Sequence, residues 1–384
     1  MGRRLALGMS RIGMTGLLVL AISGAGLTRG LVTRAAQAER VQVDTSFAGT
    51  VARLSEPSGY FDSDNLISNE TSYLHALSKM RKLGVSGGVY IGVGPDQSFS
   101  YIAEVRPRIA YLIDIRRDNL LMHLMFKALF ERSRNRLEYL CRWLGRPVPA
   151  DVKSWDDRSI EDIIARVDSL VPDPEAGPAE TLELLATVSR YGVPLSQADS
   201  ATIRRFHQEF IYAGLDIRFT SAGRAPRLHY PTLRQLILER DLDGNQANYL
   251  TTRERWEYVR DLEAHDRIIP VVGNLAGERA FPAIAREIAS RGERVSVLYV
   301  SNVEMYLWRD GLFDTFARTA SSLPHDERSV IIRSFFGGGF GQYHPQNQPG
   351  HVSTQLVQPL SDFAQRFRAG GWASYWDVVT LGNR

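Results

Sequence analysis

Apolar and polar positions along this chain fall into short apolar runs alternating with amphipathic stretches, the rhythm of a parallel α/β protein. Leu74, Leu77, Met80 and Leu83 recur at helical spacing. They predict a helix that Ser68 or Asn69 would cap and Gly84 would stop. Residues 88–93 form an apolar run ending in glycine and read as a buried strand. A helix over 98–105, ended near Pro107, a β-branched strand over 109–115 and a strongly apolar helix over 119–132 follow. Met122, Met125, Phe126 and Phe130 share the spacing of that last helix and are expected in the core.

Residues 133–262 break the alternation. They read as mainly helical, with loops near 171–178 and 220–231 and a further helix face at Trp256, Tyr258 and Leu262. The alternation then resumes with strands over 267–272, 294–300 and 329–334 and helices over 281–290 and 311–322. The pattern predicts a last helix over 354–368 and a final strand near 376–381. The expected fold is therefore α/β: a Rossmann-like, doubly wound, mostly parallel sheet carrying a helical insertion over about 133–262.

The N-terminal 38 residues stand apart. Arg3 and Arg4 precede an apolar run over 17–27, and Ala36-Gln37-Ala38 supplies a small-x-small site. This is the grammar of a signal peptide, so export to the periplasm or attachment to a membrane through the leader is expected. A later start, at Met9 or Met14, would instead leave a cytoplasmic protein. The folded domain is expected over 39–384. The leader also carries five of the arginines and no acid, so subtracting it turns the net charge of +3 into −2. A near-neutral body has no electrostatic footprint for nucleic acid, and a small-molecule partner is expected instead. The single cysteine, Cys141, excludes an internal disulfide and a multi-cysteine zinc site. Oligomeric state is not legible from the residues.

The chemistry concentrates at strand ends. Gly92 and Gly94 follow the first strand, where glycine permits a sharp turn and close approach of a ligand to the main chain. Asp114 ends the next strand, 22 residues after Gly92, where a carboxylate can accept from both ribose hydroxyls of an adenosine cofactor. Gln97 occupies the third glycine position of G-x-G-x-x-G. That disfavours a pyrophosphate at the helix start and suits a phosphate-free cofactor such as S-adenosylmethionine. Asn274, after the third strand, would face the cofactor's base or simply sit in a turn. Asn302 and Glu304 follow the fourth strand and would face the reacting group, with Glu304 as general base, or form a helix cap. Asp62, Asp64, Asn65, Asn69 and Glu70 crowd one loop, as a lid or as turn residues. The histidines are scattered, His344 and His351 sharing a loop without any H-E-x-x-H spacing, so no metal site is expected. No G-x-S-x-G elbow between a strand and a helix occurs, and no Walker A motif.

Together, VYIGVGPDQ, YLIDIRRDN, VVGNLAG and LYVSNVEMYL resemble the core of class I S-adenosylmethionine-dependent methyltransferases. With GYFDSDNLISNE they also resemble a family of uncharacterised bacterial proteins having that methyltransferase-like fold. The resemblance runs from about Leu54 to the C-terminus. It implies S-adenosylmethionine as cofactor, with Gly92 and Gly94 on the glycine loop, Asp114 as the ribose-binding acid and Asn274 near the adenine edge. Asn302 and Glu304 fall on the motif after the fourth strand. SNVE stands where amino- and nucleobase-methylating enzymes carry Asn-Pro-Pro-aromatic, so the acceptor class stays open. The function this implies is methyl transfer to a small-molecule or lipid-like acceptor. Two alternatives stand beside it: a non-catalytic ligand-binding protein on the same scaffold, and a nicotinamide-dependent oxidoreductase, against which the missing third glycine counts.

Overall fold

Six strands form one sheet in the order β3-β2-β1-β4-β5-β6: β1 (Val89–Gly92), β2 (Ile109–Asp114), β3 (Ile268–Val272), β4 (Val295–Tyr299), β5 (Val330–Phe335) and β6 (Thr354–Pro359). The first five pair in parallel, and β6 pairs with β5 antiparallel. This is the strand order of a doubly wound sheet, which reverses direction between β1 and β4. The computed structural model describes residues 44–384 except 172–173, 222–226, 228, 338–342 and 384. The expected leader over 1–38 and its cleavage site lie outside the described residues.

Nearly every strand residue is buried, so both faces of the sheet are covered, as parallel sheets require. Pro270, which has no N–H to give a ladder, sits in β3 at the sheet edge. On one side α4 (Arg117–Arg132) lies against β2 and β3, and α10 (Arg253–Ala264) packs on it and on α3 (Gln97–Val105). The other layer runs from α1 (Phe47–Leu54) through α11 (Ala280–Ser290) and α13 (Phe313–Ser322) to α14 (Leu360–Arg368). Met122, Met125, Phe126 and Phe130 are fully buried, as expected.

Residues 133–262 are helical, and their packing explains why. α4 is buried on all sides from Asn119 to Phe130 and needs cover away from the sheet. α5 (Arg136–Trp143), α7 (Ala176–Ser189) and α8 (Gln197–Ala213) provide it, together with α10. α6 (Ile160–Ser169) and α9 (Leu233–Leu238) close the insertion from outside. Residues 44–384 form one unit, with the insertion packed into it.

Three expectations fail. The helix near 68–83 is only α2 (His75–Lys82), because Ser68 accepts from the Glu70 amide instead of capping it. Residues 354–368 are not one helix: 354–359 pair with β5, and α14 begins after Pro359. The final strand near 376–381 is instead α15 (Tyr375–Thr380), started by a capping box between Ser374 and Asp377. A further short helix, α12 (Val303–Arg309), follows β4 directly. No helix among the described residues is long and apolar enough to cross a membrane.

Candidate functional site

A cavity of about 1000 Å³ opens at the carboxyl ends of β1, β2 and β4, where the strand order reverses. That is where open parallel sheets bind ligands, and the volume suits a cofactor-sized molecule. Gly94, Asp114, Asn274 and Asn302 all line it. Gly92 lies within β1, behind the lining.

The glycine loop is pinned from below. Gly94 adopts a φ of 83°, which an L side chain rarely tolerates, and an added Cβ would meet Gln97 Nε2 at 2.8 Å. Its carbonyl accepts from Asn119 Nδ2 (3.1 Å) and His123 Nε2 (2.9 Å), both on α4. His123 therefore carries its proton on Nε2, and burial pushes its pKa down to about 4, so the ring is neutral. Asp96, at the start of α3, is also buried, and burial pushes its carboxyl up to about 7. An acid whose pKa is raised on folding contributes fully below its unfolded value, and loses that contribution as pH rises through the folded value. Asp96→Asn is thus expected to gain on the wild type by on the order of 2–3 kcal/mol between pH 5 and pH 8. Urea unfolding at the two pH values checks this, and a pH-independent difference would count against it.

Asp114 does not stand open as expected. Arg116 grips it: Oδ1 accepts from the Arg116 backbone N (2.9 Å) and Nε (3.0 Å), and Oδ2 from Nη2 (3.0 Å). A carboxylate offers about four acceptor positions. Three are used, which leaves one, on Oδ2, enough for a single ribose hydroxyl. Arg116 also donates to the Ser63 carbonyl and so ties β2 to the 60–65 loop. A smaller cavity of about 350 Å³ adjoins there, sharing Tyr60, Phe61, Asp62, Arg116 and Ser221 with the larger one. Asn274 turns its own Oδ1 onto the Ala276 amide (2.9 Å), while Glu56 accepts from the Asn274 and Ala280 amides and fixes this turn.

Glu304 belongs elsewhere. It is fully buried, it does not line the cavity, and Arg333 of β5 donates to both its oxygens, at 2.6 and 3.3 Å. Asn302, Val303, Met305 and Tyr306 face the cavity, whereas Glu304 turns toward β5. Its carboxylate is engaged by a guanidinium and is not placed to take a substrate proton.

The carboxylate that does line the cavity is Glu70. Tyr299 Oη (2.8 Å) and Gln355 Nε2 (2.8 Å) donate to its Oε2, and Ser301 Oγ donates to Oε1. Burial raises its pKa, and those donors oppose the rise. No cationic side chain pairs with it among the described residues. Gln97 is also on the lining; its Oε1 is buried without a hydrogen-bond partner among the described residues, and its Nε2 donates to Tyr299 Oη (3.3 Å). Tyr299 thus links Glu70 and Gln97 at the cavity wall. The backbone is strained at the same place. Of the four described non-glycine residues with positive φ, Asn65 (49°) and Ser301 (52°) line this cavity.

Of the 60–70 loop, Asp62, Asn65, Asn69 and Glu70 are on the lining. Phe61 meets Tyr306 of α12 edge to face at 5.3 Å, and Ser63 Oγ donates to the Thr220 carbonyl. Asp64 instead pairs with Arg205 of α8. Tyr299 and Gln355 carried no sequence signal, because each is one residue of a buried strand.

The site is thus a deep cavity at the switch point of an α/β sheet, with an uncompensated carboxylate on its wall. The chain belongs to the family described as Domain of unknown function (DUF7790), whose model matches residues 66–151 and 224–378. The matched segments contain all six strands and Glu70, Gly94, Asp114, Asn274 and Asn302. The intervening stretch holds α6, α7 and α8 of the helical insertion. No curated protein matches the chain.

Proposed function

We propose that this protein binds S-adenosylmethionine in the large cavity and transfers its methyl group to a small-molecule or lipid-like acceptor. The observation that carries the reading is the buried Glu70 carboxylate, held by neutral donors alone and facing the cavity. Buried charges are normally paired, so this wall calls for a cationic ligand. S-adenosylmethionine brings two cationic centres, a sulfonium and an ammonium, on a nucleoside without phosphates. Gln97 in the third glycine position agrees with the lack of a pyrophosphate and counts against a nicotinamide cofactor. In this reading Gly94, Asn274 and the remaining acceptor of Asp114 hold the adenosyl end, and Glu70 and Gln97 hold the cationic end. Asn302 lies on the acceptor side. Methyl transfer needs mainly alignment of the sulfonium with the nucleophile, which a preformed cavity supplies.

Calorimetric titration of the full chain with S-adenosylmethionine and S-adenosylhomocysteine tests the proposal. Micromolar binding, weakened at least tenfold in a folded Asp114→Ala variant, is the expected result. Folded protein that binds neither would favour the alternative: a ligand-binding scaffold without methyl transfer. The Arg116 clamp on Asp114 is the observation that favours this alternative.

A further inference from the structure

Away from the cavity, three residues distant in sequence meet. His75 begins α2, Glu239 follows α9, and His351 lies in the loop before β6. One ligand atom from each lies within 4.8 Å of the other two, and the imidazole centroids are 4.5 Å apart. We propose that His75, Glu239 and His351 bind a divalent transition-metal ion of the zinc type, with a fourth position left to water.

The donor set fits that ion. Two imidazoles and one carboxylate suit zinc, and they disfavour magnesium, which prefers oxygen ligands and water. Ligands around a tetrahedral zinc stand about 3.3 Å apart, so side-chain adjustment of an ångström or so closes the site. The ring of His351 is already oriented. Its Nδ1 is 3.1 Å from Thr71 Oγ1, which leaves Nε2 for a metal, as partners of metal-bound histidines commonly do. Glu239 Oε1 accepts from the Arg240 amide (2.9 Å), leaving Oε2. Lys79 donates to Gln346 and to the Gln355 carbonyl, and Asp241 pairs with Arg81. His75 is buried, while Glu239 and His351 are partly exposed, which gives an ion a path from solvent.

Such an ion would join three segments distant in sequence. Ser72 Oγ donates to the Ser353 carbonyl beside it, and Gln355 of β6 reaches Glu70. The metal would therefore brace the segment that presents Glu70 to the cavity.

Titration of the full chain with Zn²⁺, followed by calorimetry and thermal unfolding, tests the site. One ion per chain at micromolar affinity or tighter is expected, with an upward shift in Tm. Glu239→Gln and His351→Ala, both at partly exposed positions, should each weaken binding at least tenfold, and Mg²⁺ should not bind. Absence of Zn²⁺ binding by the folded wild type, or affinity unchanged in both variants, would overturn the proposal. Cobalt(II) gives a reading independent of any variant. Visible absorption well above that of the hydrated ion supports a low-coordinate protein site, and the spectrum of the hydrated ion alone contradicts it.

Discussion

Glu304→Gln is expected to cost the fold about 3–5 kcal/mol, the range for removing one partner of a buried ion pair. Arg333 is fully buried, and Glu304 is its only carboxylate partner among the described residues, taking both Nε and Nη2. Its remaining donor, Nη1, goes to Gln358 Oε1 (2.9 Å) and Asn383 Oδ1 (2.6 Å), and the guanidinium lies over the Phe363 ring. Neutralising Glu304 leaves that charge in a dry site with amide acceptors alone. The pair joins α12, β5, β6 and the C-terminal segment, so its loss should lower the whole transition cooperatively. Arg333→Met alone should cost a similar amount by stranding the carboxylate. The double variant Glu304→Leu with Arg333→Met should recover most of the loss, because buried pairs are often replaceable by apolar groups of similar volume. Urea unfolding of the three variants at neutral pH measures this. Ligand affinity of the cavity should be unchanged in whichever variants stay folded. Wild-type stability in Glu304→Gln, with ligand binding lost, would return Glu304 to the site and refute this assignment.

The misplacement of Glu304 shows where local pattern stops being informative. Strand ends were legible because glycine or a polar residue bounds each apolar run, and residues just beyond a parallel strand face the cavity by topology alone. That is why Gly94, Asp114, Asn274 and Asn302 converge. Which way a residue one step further points depends on the turn. A two-residue turn through Ser301, at positive φ, starts α12 with Met305 toward the cavity and Glu304 toward β5. The 354–368 segment failed for a related reason. Leu356, Leu360, Phe363 and Phe367 keep helical spacing across Pro359, while Gln355 and Gln358 look solvent-facing. Both glutamines are buried, because each meets a buried charge from elsewhere, Glu70 and Arg333. Likewise YWDVVT is aromatic and β-branched enough for a strand, and the Ser374–Asp377 capping box decides for helix. Glu70, Tyr299 and Gln355, like His75, Glu239 and His351, are constellations assembled across more than two hundred residues. No spacing rule reaches them, and only the fold brings them together.

Glu70→Gln is expected to weaken S-adenosylmethionine binding by ten- to a hundredfold, the scale of one buried charge-assisted interaction. The substitution keeps the shape but removes the charge. It also sets an amide N–H among three donors, Tyr299 Oη, Ser301 Oγ and Gln355 Nε2. The hydroxyls can rotate to accept, so the fold should survive. Comparing two ligands locates the contact, because S-adenosylmethionine and S-adenosylhomocysteine share the ammonium but only the former has a sulfonium. A loss confined to S-adenosylmethionine places Glu70 at the sulfonium, beside the transferred methyl. An equal loss for both places it at the ammonium. The pH dependence gives a third reading. Burial raises the pKa of Glu70 in the free protein, whereas a bound cation favours the ionised form. Binding therefore expels a proton, and affinity should fall as pH is lowered through the pKa of the free protein, with the Gln variant flat over the same range. Unchanged affinity for both ligands in a folded Glu70→Gln protein would refute the cationic-ligand reading. The buried carboxylate would then be a structural acceptor for Tyr299, Ser301 and Gln355.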